Sequence, residues 1–254
     1  MPLFFLPVLL MTACSAPSAE ALANDYPEML DSLTPPIVLE LFTSQGCSSC
    51  PPADELLGAI ISQAEESGQP IYALAFHVDY WNRLGWEDPY SQEAFSHRQY
   101  EYSGKLPSRV YTPQLVINGS KDVVGSRSDY VLPELQPIAR AIPLELSLAT
   151  PATQNEGWTA DFQLSGDFDP EETVVNVAVV ERELNTAVKR GENRNRVLNH
   201  YNVVREFQQY GLTTAGNGRL ELERPATGDD FSLLIYLQDL SSWQVLGAES
   251  IDLP

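Results

Sequence analysis

Apolar and polar positions divide the chain into short runs that begin at residue 37. Ile37 to Thr43 (IVLELFT) is an apolar stretch of strand length behind two prolines, and it predicts a buried strand. In the segment from Ser48 to Ser67, Leu56, Leu57, Ile60, Ile61 and Ala64 recur at helical spacing, and Gly68 ends the pattern. Ile71 to Val78 (IYALAFHV) is a second buried strand. Strand, helix and strand in this order predict a βαβ unit and a parallel pair.

Asp88 followed by Pro89 reads as an N-cap and first helical position, giving a helix over about 89–103. Thr112-Pro113 leads into the apolar run Gln114 to Ile117, and Asn118-Gly119 predicts a hairpin turn with a returning strand over Asp122 to Gly125. Ser128 would cap a helix over 129–141, interrupted by Pro133 and Pro137. From Pro143 the pattern changes to short alternating or apolar segments: PLELSLA, WTADFQLSG, TVVNVAVVER, GRLELER, FSLLIYLQDL and WQVLGAESI. They predict an all-β, sandwich-like domain. The expected organisation is a signal segment over 1–14, a small, polar, proline-containing tether over 15–36, an α/β domain over 37–142 and a β domain over 143–254.

Composition narrows the class of function. The 254 residues are 43% hydrophobic, enough for a sizeable core. Acidic residues number 35 against 15 basic ones, a net charge of −20, which argues against nucleic acid and anionic membrane surfaces as partners. Six of the 15 basic residues nevertheless fall between Arg182 and Arg205: Arg182, Lys189, Arg190, Arg194, Arg196 and Arg205. Glutamates are interleaved with them. The segment is either stitched by ion pairs or docked on the acidic first domain, or else it is a docking surface for an acidic partner or a contact that completes the cysteine site. Its most distinctive string, Asn199 to Arg205, has no job that the sequence reveals.

Residues 1–13 carry no charged side chain and have the length of a signal-peptide core, too short to cross a bilayer. Export is the expectation, with a buried N-terminal helix as the alternative. Cys14 after Leu10-Met11-Thr12-Ala13 resembles a lipoprotein box, so a lipid anchor on Cys14 is one outcome. Ordinary cleavage near residues 16–19, which would discard Cys14, is the other. The expected compartment is the periplasm or the lipid-anchored face of the cell envelope, where a cysteine pair is permitted to be a disulfide.

That pair is Cys47 and Cys50, in Gly46-Cys47-Ser48-Ser49-Cys50-Pro51-Pro52 at the mouth of the first helix. A helix N-terminus favours negative charge and so lowers the pKa of an exposed thiol. Cys47 is the expected nucleophile and Cys50 the resolving thiol. Tetrahedral zinc would need two more ligands at short spacing, and no second cysteine pair exists. Cu(I) held by Cys47 and Cys50, with His77 as a third ligand, remains an alternative. No nucleotide motif or Ser-His-Asp set appears, and no cofactor is expected.

The strand–Cys-Ser-Ser-Cys–helix opening and the TPQLVING–DVVG segment resemble the thioredoxin superfamily. The runs VLELFTSQGCSSCPPADELL, FHVDYWNRLGW and VKRGENRNRVLNHYNVVR resemble a bacterial secreted family known as domain of unknown function 1223 (DUF1223), over most of residues 37–254. That family implies no established activity. The superfamily resemblance implies that Pro113 is cis and faces the cysteines, with Thr112 presenting backbone to a substrate strand. It also implies a buried acid before the cysteines, for which Glu40 is the candidate, either as proton acceptor for Cys50 or as a carboxylate bonded within the fold. His77, Asp79, Trp81 and Trp86 follow the C-terminal end of the second strand, where open α/β sheets place ligands. They either wall the cysteine site or, for His77 and the tryptophans, fill the core. The expected function is a thiol–disulfide oxidoreductase acting on protein or small-molecule thiols and disulfides. A scaffold with a structural disulfide is the alternative.

Overall fold

The computed structural model describes residues 36–137, 141–142, 144–148, 157–212 and 216–254. The expected signal segment, Cys14 and nearly all of the tether lie outside the described residues. Strand β1 (Ile37–Thr43), helix α1 (Pro51–Ser67) and strand β2 (Ile71–His77) form the expected unit. The two strands are parallel and paired from Ile37–Ile71 to Thr43–His77. Gly68, at φ 70°, closes α1 by donating its N–H to Glu65 O. Strand β3 (Gln114–Ile117) lies antiparallel to β1, and β4 (Lys121–Val124) returns beside it. Asn118 and Gly119 both have positive φ (49° and 69°), as a tight hairpin turn requires.

The later strands divide into two groups. β7 (Thr173–Ala187), β8 (Val197–Gly211), β10 (Phe231–Asp239) and β11 (Val245–Leu253) join the first four in one mixed sheet of order β11-β10-β7-β8-β2-β1-β3-β4. This sheet curls into a half-barrel. β5 (Leu144–Leu148), β6 (Trp158–Leu164) and β9 (Asn217–Leu222) form a separate, smaller antiparallel sheet. The main sheet therefore spans both segments expected as domains, and the sandwich expected over 143–254 gives up four strands to it.

Period-two alternation in β1 sends its side chains to two cores. Ile37, Leu39 and Leu41 meet Leu56, Leu57 and Ile60 of α1. Val38 and Phe42 meet Phe76, Tyr102, Ala178 and Tyr236 on the other face. A third core lies between the small sheet (Trp158, Phe162, Leu220) and the main one (Val177, Leu233, Ile235). Each large apolar side chain so buried contributes about 1.5–3 kcal/mol.

Two helices differ from expectation. Helix α2 runs Glu93–Ser103, not from residue 89, because Asp88 does not cap it. Both oxygens of the Asp88 carboxylate are used elsewhere, as described below. Helix α3 (Ser128–Val131) lasts one turn and passes into a 3-10 turn over Leu132–Glu134, where Pro133 sits. Strand β8 was not among the expected strands. Its first residues, paired with the end of β7, also lie along α1: Asn199 donates to Glu55 (2.9 Å), and Tyr201 packs on Gly58.

Candidate functional site

The loop between β1 and α1 holds the cysteines. Cys47 and Cys50 are joined as a disulfide, with Cα atoms 5.5 Å apart. Cys50 is the N-cap of α1, and Pro51 and Pro52 follow at its first positions. Prolines suit a first turn because its N–H groups have no intrahelical partner. They also remove two donors that would otherwise face an anion there. The Ser49 hydroxyl lies 3.2 Å from Cys47 Sγ in their place.

Thr112-Pro113 is a cis peptide, as expected, and its loop faces the pair: Cys47 Sγ lies 3.9 Å from Thr112 O. Trp81 bridges this loop to the cysteine loop, and Trp86 bonds the cysteine loop alone. Trp81 Nε1 donates to Thr112 Oγ1 at 2.9 Å, and its Cβ abuts Gly46, where an added Cβ would stand 3.1 Å away. Trp86 Nε1 donates to Gln45 Oε1 at 2.9 Å. Asp79 is not at this wall. Its carboxylate accepts the Ser96 hydroxyl proton on α2.

Glu40 is not beside Cys50. Alternation puts it on the face of β1 opposite α1, together with Val38 and Phe42. There Arg98 grips it through Nε (2.6 Å) and Nη2 (3.1 Å), and Tyr102 donates its hydroxyl proton to the same carboxylate. The Arg98 guanidinium also lies over the rings of Phe207 (4.7 Å) and Tyr102 (5.2 Å). Glu40 is thus the carboxylate bonded within the fold.

The acid on the cysteine side is Asp54, one turn along α1 from Cys50 and 2% exposed. It belongs to a buried polar cluster with Thr43, Gln45, His77, Asp88 and His200, each no more than 2% exposed. Thr43 and His77 are register partners at the ends of β1 and β2 and extend the α1-facing rows. Thr43 Oγ1 donates to Asp54 Oδ2 at 3.3 Å, and His200 Nδ1 stands 3.9 Å from the same oxygen. The His77 and His200 rings meet edge to face at 4.8 Å.

The bonds around Gln45 fix the His200 tautomer. Trp86 N–H can only donate, so it claims Gln45 Oε1. Gln45 Nε2 must then donate, to Thr186 Oγ1 (3.0 Å) and to His200 Nε2 (3.1 Å). His200 Nε2 therefore accepts, and its ring proton sits on Nδ1, facing Asp54.

His77 Nδ1 lies 2.8 Å from Asp88 Oδ2, which also accepts the Gln45 N–H at 2.8 Å. Asp88 Oδ1 takes the Tyr90 N–H at 3.0 Å. Burial alone would lower the pKa of His77. The charge and hydrogen bond of Asp88 outweigh it and hold His77 above the ordinary histidine value. Burial likewise opposes ionisation of Asp88. His77 and the two backbone N–H groups overcome it and hold Asp88 below the ordinary carboxylate value.

Three atoms of this cluster have no hydrogen-bond partner: Asp54 Oδ1, His77 Nε2 and His200 Nδ1. An unmade buried hydrogen bond costs about 1–3 kcal/mol. His77 is a candidate from its place at the end of β2, whereas nothing local marks Asp54 or His200. Asp54 hid among ordinary first-turn acids, and His200 lies 150 residues beyond Cys50.

The cover of the site comes from the β7–β8 arm. Asn193 Nδ2 donates to Gln45 O (3.0 Å) and Cys47 O (2.9 Å), and Arg196 Nη1 donates to Asn193 Oδ1 (2.9 Å). Glu192 Oε2 accepts the Ser48 N–H at 3.0 Å. Elsewhere in the basic segment, Arg182 pairs with Asp230 and Asp252, and Arg205 pairs with Glu181. Among the described residues no group of three or more His, Cys, Asp and Glu side chains is placed to hold a metal.

Fold and site together define an α/β protein with a Cys-x-x-Cys disulfide closing onto a proline loop, backed by a buried histidine–carboxylate cluster. The chain belongs to the family described as protein of unknown function (DUF1223), which matches residues 38–238. It is similar to a crystallised protein from Agrobacterium tumefaciens, at 27% identity over 85% of this chain and 93% of that one, with a TM-score of 0.61. A chicken interferon gamma receptor alpha chain aligns at 14% identity over 56% of this chain and 65% of that one, with a TM-score of only 0.27. No match is found among curated proteins.

Proposed function

We propose that this protein is a thiol–disulfide oxidoreductase of the bacterial cell envelope. The observation that carries the reading is the placement of the Cys47–Cys50 disulfide at the N-terminus of α1, with Thr112 O 3.9 Å from Cys47 Sγ. The segment order β2-β1-β3-β4, with the cysteines after β1 and Pro113 before β3, supports a thioredoxin-like core. In the reaction, the Cys47 thiolate attacks one sulfur of a substrate disulfide and expels the other as a thiolate. Cys50 then attacks Cys47 Sγ, closing the Cys47–Cys50 bond and releasing the second substrate thiolate. Two electrons pass from the cysteine pair to the substrate. Pro113 and Thr112 would present backbone to the partner, and Trp81 and Trp86 would flank it. A cleft of about 560 Å³ beside this loop, lined by Pro107, Tyr111, Val124 and Tyr130 together with the charged Asp122 and Arg127, offers a mostly apolar seat for that partner. Export rests on the uncharged residues 1–13, and a lipid anchor on the cysteine at position 14.

The test is reaction of the reduced protein with an aromatic disulfide such as DTNB. Wild type should release two thiolates per chain, and Cys50→Ala should stop at a mixed disulfide on Cys47. Absence of both in the folded protein would sink the reading. One observation favours a second reading. Cys47 is 1% exposed and Cys50 0%, as a static structural disulfide would be. That reading expects no turnover and a loss of stability on reduction of about 2 kcal/mol, as the short loop allows.

A further inference from the structure

The basic segment of the β7–β8 arm holds two kinds of cation. Arg182 and Arg205, at its ends, are neutralised by Asp230, Asp252 and Glu181. Lys189, Arg190 and Arg194, at its tip, are exposed and have no carboxylate partner among the described residues. Ion-pair stitching accounts for the first kind and leaves the second without a role.

The tip is fixed against the cysteine loop. Asn193, which bonds Gln45 O and Cys47 O, directly precedes Arg194. Glu192 holds the Ser48 N–H, and an added Cβ on Gly191, the residue after Arg190, would stand 3.1 Å from Trp86 Cβ. Bonds from Asn195 N–H to Val188 O and from Val188 N–H to Arg196 O, both 2.9 Å, close the turn. Consecutive Cα atoms are about 3.8 Å apart, so these contacts carry Arg190 and Arg194 to the rim of the site.

The other segments at the rim have the same sign. Arg83 lies between Trp81 and Trp86, which bond Thr112 and Gln45, and Arg109 lies just before the Thr112-Pro113 loop. Both are exposed, again with no carboxylate partner among the described residues. The runs 81–87, 107–113 and 188–196 together contain six basic residues and two acidic ones, Glu87 and Glu192, in a chain of net charge −20. Asp88, the next acid along, is buried against His77. Such a local reversal of sign concentrates anions where the cysteines are.

We propose that the cysteine pair acts on acidic polypeptides, taking cysteines flanked by Asp and Glu against Arg83, Arg109, Arg190 and Arg194. This rests on the oxidoreductase reading and names its substrate class. Charges spread over three separate segments suit a chain that carries several carboxylates, and a guanidinium pairs with a carboxylate through two parallel bonds. The cleft beside the proline loop gives such a chain room to continue.

The experiment uses peptides that differ only in charge. Each has one cysteine capped as a disulfide with 2-thiopyridine, and its neighbours are glutamates, serines or lysines. The Cys47 thiolate of the reduced protein attacks the peptide sulfur, and the cap leaves as a thiolate that takes up a proton to give the absorbing thione. Stopped flow times that release. At about 10 mM salt, where the screening length is about 30 Å, the glutamate peptide should react about tenfold or more faster than the lysine peptide, with the serine peptide between them. At about 1 M salt, where it is about 3 Å, the difference should collapse. Arg190→Glu combined with Arg194→Glu should lower the glutamate-to-serine rate ratio about tenfold, with Arg196, the partner of Asn193, left in place. Equal rates for the three peptides at low salt overturn the proposal and leave the oxidoreductase reading standing. A ratio that the double variant does not change overturns the assignment to the arm. If the double variant slows the small dianion DTNB as much as the glutamate peptide, a small anion suffices and the polypeptide class is wrong. Absence of cap release from every peptide overturns the oxidoreductase reading, and the proposal falls with it.

Discussion

Asn193 Nδ2 donates to the carbonyl oxygen of Cys47 at 2.9 Å, across 146 residues of chain. The same amide reaches Gln45 O at 3.0 Å, so one side chain from the β7–β8 arm spans the cysteine loop. Glu192 adds a carboxylate on the Ser48 N–H beside it. Both cysteines are buried, although the serines between them are exposed.

Asn193→Ala should uncover the disulfide. The substitution removes two hydrogen bonds to the loop and the grip of Arg196. We expect reduction by a small dithiol to quicken several-fold, with a loss of stability of about 1–2 kcal/mol. The reduction rate of the folded protein, followed by alkylation and mass measurement, checks this. An unchanged rate would mean that the arm does not limit access.

Arg98→Ala should destabilise the fold by about 3–5 kcal/mol, because it leaves Glu40 buried without its cation. Arg98 is 3% exposed and also bonds Tyr236 at 2.7 Å. Glu40→Gln in the Arg98→Met background should recover much of the loss, since no unpaired charge remains. Urea midpoints of the single and double variants measure this. A near-neutral Arg98→Ala would refute the account of Glu40 as a structural carboxylate.

Much of this architecture was legible in the chain. The β1–α1–β2 unit follows from local apolar periodicity, and the Asn118-Gly119 turn from its own dihedral needs. Trp81 and Trp86 could be placed near the cysteines because they follow the end of β2. What stayed hidden depends on distance along the chain. Asp88 has the look of a helix cap, and only the approach of His77 and the Gln45 N–H redirects it. His200 joins the cluster through β8, whose mixed polarity reflects a strand paired with β7 from its start whose first residues also lie on α1. The second half resembled a sandwich because alternation reports that a strand is half-buried, not which sheet it joins.

Gly58 makes that contact with α1 testable. A Cβ at this position would stand 2.4 Å from Tyr201 Cε2 and 2.5 Å from Cδ2. Ala is favoured over Gly in a helix by roughly 1 kcal/mol, but overpacking against a ring costs about 1–3 kcal/mol. Gly58→Ala should therefore destabilise the wild type and stabilise the Tyr201→Ala variant. A double-mutant cycle by thermal or urea unfolding reads the reversal, and the same sign in both backgrounds would deny the contact.

The His77–Asp88 pair should leave a mark on stability as a function of pH. His77 is held above its ordinary value of 6.5 in the folded chain, so its contribution is fully present below that pH. It is lost as pH rises through the folded value. Asp88 is held below its ordinary value of 3.8, so its contribution is present above that pH and is lost as pH falls through the folded value. The pair is therefore worth most between these limits, in mildly acidic solution. The stability difference between wild type and His77→Gln should be largest there and should shrink as pH rises past the raised histidine value. Urea midpoints for both proteins across pH 4 to 9 give the curve. A difference that is flat, or that grows toward alkaline pH, would mean that His77 carries no extra proton in the folded state. The bond to Asp88 would then be an uncharged one.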